Sequence, residues 1–344
     1  MEINKTQLQE ALEIVKPGLA NKEVIDQSTS FAFIDGRVVT YNDEISLSHP
    51  IPGLELTGAI LADNLYKFLA KVKKDDVTFE VSGNEIILTT GRAKAGLTLQ
   101  DEIKLPLDEE IAEKGKWKTI PENLIQAIDF VMGACSRDMS RPVLTCVHVN
   151  KEGFIEASDG YRISYYTIEN ELPVETFLLP AISATVLVKL KPIKIAEGRG
   201  WIHFQTEEKT ILSCRVFEDD YPKTAKFLSM KGATLTLPKL LNGALERAMV
   251  FSKREHMLDE SVEVEIADRE LTLRATSPSG WFEESLNIRY DDAPIAFHIT
   301  PYLLKNILQE TQRCEISDDK LKFSGEGWVY VTALRGTISK KKKK

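Results

Sequence analysis

One pattern recurs three times along these 344 residues, at a spacing of about 115: an apolar-striped helix, alternating strands, a second helix and a further hairpin. The first helices open at Thr6-Gln7-Leu8, at Pro121-Glu122-Asn123-Leu124 and at Pro238-Lys239-Leu240-Leu241. The second helices open at Leu61-Ala62-Asp63, Leu179-Pro180-Ala181 and Ile299-Thr300-Pro301. A period this long is not that of a solenoid, whose repeats run to 20–50 residues. It predicts three like domains in series, over 1–115, 116–231 and 232–344, with a lysine-rich tail from about 336. Each repeat mixes two helices with antiparallel strands, an α+β class.

Local signals support this. Leu8, Leu12 and Val15 share a stripe on a helix over about Lys5 to Val15, which Pro17-Gly18 stops. Phe31 to Ile34 and Arg37 to Tyr41 flank Asp35-Gly36, a two-residue hairpin signal. Val77 to Val81 pairs with Glu85 to Thr89, and Val262 to Ile266 with Leu271 to Ala275. The charged stretch Asp108 to Lys116 reads as a linker.

No apolar run approaches the ~20 residues of a membrane span, and no charged-then-apolar leader opens the chain, so a cytoplasmic location is expected. Cys135, Cys146, Cys214 and Cys314 are dispersed, with no C-x-x-C pair. His49, His148, His203, His256 and His298 have no ligand spacing. Phosphate-loop, dinucleotide, zincin and nucleophile-elbow motifs are absent. No enzyme, metal or cofactor is expected.

Charge is more informative. The net charge is −8, and −13 without the run Lys340–Lys344 (39 basic against 52 acidic). An acidic body does not wrap nucleic acid over its outer surface. Yet cations gather near helix ends: Lys22, Lys67, Lys71 and Lys74 in the first repeat; Arg137, Arg141 and Lys189 in the second; Lys253, Arg254 and Lys305 in the third. Helix C-termini favour cations through the macrodipole. If these helices faced one side, that side would also suit the regular, sequence-blind charge of a DNA backbone.

Arg141-Pro142-Val143-Leu144-Thr145, followed by Ala157-Ser158-Asp159-Gly160-Tyr161-Arg162-Ile163, resembles the signature of the bacterial sliding clamp, the β subunit of DNA polymerase III. That family shows R-x-x-L and then T-D-G-H-R-L. Asp220-Tyr221-Pro222 with Lys226-Phe227-Leu228, and the final strand Val329 to Arg335, are similar to two further family segments. The resemblance spans essentially the whole chain. It implies a head-to-tail homodimeric ring, strands outside and helices lining a hole through which double-stranded DNA passes. The protein would serve as a processivity factor for a replicative polymerase, set in place by a clamp loader. Partners would insert a short leucine- or phenylalanine-bearing peptide between the middle and last domains. By residue matching, that pocket would use Leu144, Ser158, Gly160, Tyr161, Arg162, Ile163, Pro222, Lys226, Phe227 and Val331. The subunit contact would use Leu97, Val250 and Phe251. Ala333-Leu334 replaces the family's usual methionine-proline, a divergence suited to a phage-borne or otherwise remote member. The alternative is a scaffold of the same fold that does not encircle DNA.

Overall fold

The computed structural model describes residues 2–107, 115–230, 232–255, 259–317 and 319–336. Most of the linker read over Asp108 to Lys116, and the tail beyond 336, lie outside the described residues. The chain forms two compact units, 1–129 with 148–153 and 169–219, and 130–147 with 154–168 and 220–344. Neither unit coincides with one sequence repeat, because hydrogen-bonded sheets run across the repeats.

In the first unit, eight strands lie in the order Gly58–Leu61, Ser30–Ile34, Arg37–Tyr41, Ile45–Pro50, Ile211–Arg215, Trp201–Gln205, Lys194–Gly198 and Lys118–Thr119. The join is antiparallel, with Leu47 opposite Leu212 and Ser46 opposite Ser213. The hairpin turn at Asp35-Gly36 has positive φ at both positions, +49° and +70°. This turn matches the twist of the flanking strands. A second sheet orders Glu2–Asn4, Asp76–Ser82, Glu85–Thr90 and Ala93–Thr98, leaving the last as an edge.

Helix Lys5–Val15 forms as its stripe predicts. Asn4 Oδ1 caps it by accepting from the Gln7 amide at 3.1 Å, and Leu8, Ala11, Leu12 and Val15 are buried. Its far end is tied to the sheet, where the Thr40 hydroxyl donates to the Val15 carbonyl at 2.6 Å. The chain then passes so close to Thr40 that a Cβ on Gly18 would sit 2.3 Å from Oγ1. Helix Ala62–Lys71 packs alongside, with the Lys16 ammonium 4.0 Å from the Tyr66 ring centroid.

In the second unit, Phe154–Ser158, Arg162–Thr167, Trp328–Ala333, Lys320–Gly325, Arg313–Ile316 and Ala233–Thr236 are consecutive neighbours in one sheet. Strands of the second and third repeats again join antiparallel, with Ile163 opposite Val331. A four-stranded sheet orders Gly280–Asn287, Glu270–Ser277, Val262–Ala267 and Ile295–Ile299. Helix Leu241–Ser252 buries Leu241, Ala244, Leu245 and Ala248 in one core with both sheets. The second helix of the third repeat departs from its expected single run. It is two short helices, Tyr302–Lys305 and Ile307–Glu310, parted at Asn306.

Candidate functional site

The turn that carries the family-like signature is built by one aspartate. Asp159 Oδ1 accepts from the amides of Tyr161 and Arg162, both at 3.0 Å. Ser158 Oγ donates to the Arg162 carbonyl at 2.7 Å and accepts from the Gly160 amide at 3.1 Å. Gly160 takes φ +88°, which side-chain-bearing residues rarely adopt. The turn thereby fixes Ser158 opposite Ile163 as the hairpin begins.

Beneath it lies a buried ionic cluster. Arg162 and Asp159 are 8% and 9% exposed and meet at 3.0 Å. The Arg162 guanidinium also donates to the Gly133 carbonyl and stacks 5.0 Å from the Tyr302 ring centroid. Tyr302 donates to Asp159 Oδ2 at 3.3 Å, and Tyr330 donates to the Leu303 carbonyl at 2.5 Å. Burial works against the Arg162 charge, but Tyr330 and Asp159 more than offset it, so its pKa lies above the usual arginine value. Burial raises the Tyr302 phenol, and Asp159 beside it adds to the rise.

Burial likewise pushes Tyr330 up to about 12. The folded state therefore holds this proton more tightly than the unfolded chain, whose phenol titrates near 10. The stability this confers is whole below about pH 10 and is lost as pH rises through about 12. The expected result is a falling urea midpoint between about pH 9 and about pH 11.5, with a shallower fall in Tyr330→Phe.

Above the cluster opens a cavity of about 380 Å³, lined by residues of the second unit alone. Leu144, Ile163 and Val331, all at most 9% exposed, give it an apolar floor. Leu144 is held by the short helix Pro142–Thr145, whose carbonyl at Leu144 accepts from the Ser136 amide at 2.8 Å. Ile163 and Val331 meet through the cross-strand register. Pro222, Lys223, Thr224 and Phe227 form a wall, and the Thr224 hydroxyl anchors that segment to the buried Glu156 carboxylate. Tyr161 and Phe227 are exposed aromatics at 43% and 42%.

Nine of the ten residues matched for the pocket line this cavity. The tenth, Lys226, stands beside it with its ammonium 4.8 Å from the Phe227 ring centroid. Arg141, read from sequence among the DNA-facing cations, lines the cavity as well. Sequence reasoning missed Lys223, Thr224, Lys320 and Ala333 as lining residues. The first two fall between quoted positions. Lys320 arrives only because the strand register sets it opposite Ala333.

Of the remaining cations, Lys71, Lys189 and Lys305 close the helices Ala62–Lys71, Ala181–Leu190 and Tyr302–Lys305, and Lys253 and Arg254 follow Leu241–Ser252. Lys67 lies within Ala62–Lys71, and Lys22, Lys74 and Arg137 lie in the connections beyond helices. Lys22, Lys71, Lys74, Arg137, Lys189 and Lys253 are exposed. Lys67 pairs with Asp63 at 2.8 Å, and half-buried Lys305 pairs with Glu246 at 2.9 Å. Arg254 donates to the Lys253 and Thr276 carbonyls, both at 2.8 Å, so much of its donor capacity serves the chain end after helix Leu241–Ser252.

Of the residues matched for subunit contact, half-buried Leu97 lies on the sheet-edge strand Ala93–Thr98. Val250 is 60% exposed. Phe251 is only partly available, since it stacks on Phe282 at 6.2 Å and packs on the core. The edge strand Gly280–Asn287 adds Trp281, 73% exposed, which sequence reasoning did not single out.

Among the described residues no group of three or more His, Cys, Asp or Glu could hold a metal ion. The four cysteines are buried, and burial raises each thiol, to about 11 for Cys146 and about 12 for Cys314. Such thiols are poor nucleophiles at neutral pH. Among the described residues no helix is long and apolar enough to cross a membrane.

No protein-family model matches the chain. It is 26% identical to the beta sliding clamp of Streptococcus pneumoniae over 337 residues, covering 89% of this chain and 88% of that one. It is 24% identical to the beta sliding clamp of Lactococcus lactis over 253 residues, 66% of each. Among solved structures, the DNA polymerase III beta chain of S. pneumoniae superposes with TM-score 0.83 at 20% identity, covering 97% of this chain and 98% of that one. A sliding clamp of Pseudomonas aeruginosa bound to griselimycin gives TM-score 0.83 at 15% identity, over 97% and 98%. The chain is thus similar in sequence to bacterial beta sliding clamps over most of its length, and shares the fold of DNA polymerase III beta chains over nearly all of it.

Proposed function

We propose that this chain is a DNA sliding clamp: two copies join head to tail, enclose duplex DNA and tether a polymerase and other partners through short peptides. The observation that carries the reading is the apolar cavity beside the signature turn, in a chain that matches beta sliding clamps along nine-tenths of its length. The three repeats, 1–115, 116–231 and 232–344, would supply half of a six-domain ring.

Each part has a physical rationale. Exposed lysines and arginines on the helices and in the connections that follow them, on a body of charge −8, favour a lined hole over the outer surface as the place for DNA. Few tight phosphate contacts are needed, because a closed ring is held by topology, and loose contacts permit sliding. Closure would employ the free edge Ala93–Thr98 with Leu97, and the exposed Val250 and part-exposed Phe251. Pairing there would satisfy an edge that otherwise invites aggregation. A tether makes and breaks no bonds, so the reading needs no catalytic residue.

Light scattering tests the assembly. The expected mass is twice that of one chain at micromolar concentration. A monomer that persists to high concentration would contradict the ring.

A further inference from the structure

We infer that the cavity selects partner peptides bearing acidic residues beside the apolar anchor. This rests on the pocket reading above and gives it a charge preference. The fourteen lining residues include four cations, Arg141, Arg162, Lys223 and Lys320, and no carboxylate. That composition runs against the chain as a whole, where 52 acidic residues outnumber 44 basic ones.

The four cations divide by role. Arg162 is buried and its charge is engaged by Asp159. Arg141 and Lys223 are exposed and Lys320 is half-buried, so these three stand at the rim. Lys320 lies 3.6 Å from Asp319, an exposed partner that a ligand carboxylate can replace at little cost. Lys226 and Lys320 also flank the Phe227 ring, at 4.8 and 5.9 Å from its centroid. An aromatic wall between two ammonium groups favours an anchor that packs on the ring while a neighbouring carboxylate meets the lysines.

The floor of Leu144, Ile163 and Val331 takes an aliphatic or aromatic side chain and offers nothing to a phosphate. A residue one or two places from the anchor lies roughly 3–7 Å further along an extended peptide. That is within the ~8 Å screening length at physiological salt. The chain's own run Lys340–Lys344 has the wrong sign to occupy this rim. One exposed charge pair changes affinity by a factor of about 1.5–5. Two acidic flanks should therefore strengthen binding by about three- to tenfold.

The test uses the full chain and three dye-labelled peptides with one Leu-Phe anchor, flanked by two Glu, two Gln or two Lys, read by fluorescence anisotropy. The expected order is Glu, then Gln, then Lys, with the spread narrowing at higher salt. In the Lys223→Gln/Lys320→Gln variant the ratio of Glu-peptide to Gln-peptide affinity should fall towards one, and an unchanged ratio would overturn the charge preference. Equal binding of all three peptides would overturn the charge preference and leave the pocket reading standing. Failure of all three to bind would overturn both. Displacement of the Glu peptide by an equal concentration of single-stranded oligonucleotide would assign the rim to nucleic acid and overturn the inference.

Discussion

Arg162→Ala should destabilise the second unit by about 3–5 kcal/mol, more than any surface change in this chain. The argument is electrostatic. Asp159 is 9% exposed, and the ion pair with Arg162 is what makes its burial tolerable. Removing the guanidinium leaves a carboxylate in low dielectric with only the Tyr161 and Arg162 amides and the Tyr302 hydroxyl to solvate it. It also frees the Gly133 carbonyl and one face of Tyr302. Asp159→Ala should be severe for a second reason, since the same carboxylate folds the turn that positions Ser158, Gly160 and Tyr161. Urea denaturation with hydrogen exchange along Arg162–Thr167 measures the loss and where it falls. A change below about 1 kcal/mol in Arg162→Ala would show that the cluster is solvated and not the clamp on the turn described above.

Ala333→Trp should abolish peptide binding, weakening it at least about 100-fold, while leaving the sheet intact. Ala333 lines the cavity from the last position of strand Trp328–Ala333, hydrogen-bonded through its amide to the Tyr161 carbonyl at 2.8 Å. That bond is backbone only, so the substitution keeps it. An indole projected from Ala333 would fill much of the ~380 Å³ and stand where an anchor side chain must sit. Denaturation should match the parent within about 1 kcal/mol, separating blocked binding from misfolding. Undiminished binding of a Leu-Phe peptide would move the docking site elsewhere.

What could be read from the sequence follows from whether the signal was local. Helix Lys5–Val15 announced itself because its stripe lies within it and its stop, Pro17-Gly18, directly follows, whereas the Asn4 cap was not read. The Asp35-Gly36 turn, and the hairpin of Val262–Ala267 with Glu270–Ser277, were legible from period-two patterning. The positive φ of Arg269 was not, since arginine is not among the residues enriched in that conformation. Strand Gly280–Asn287 was missed for a related reason. It buries only Leu286, and its order comes from cross-strand partners such as Arg274, which meets Glu283 at 2.6 Å.

The candidate site divides the same way. Asp159-Gly160 is a visible turn, but only the resemblance connected it to Leu144, Pro222 and Val331, which are far away in sequence. Lys320 was invisible because a strand register alone sets it against Ala333. Arg141 was read as a DNA-facing cation, although it also opens the signature segment, and the fold sets it at the cavity.

Retention on DNA tests the central claim most directly. Chains assembled on a nicked circular plasmid, then washed at moderate salt, should stay bound while the circle is closed upon itself. They should be released within minutes of cutting it once, because a ring held by topology slides off an end. Equal retention on circular and linear DNA, or none on either, would contradict the account.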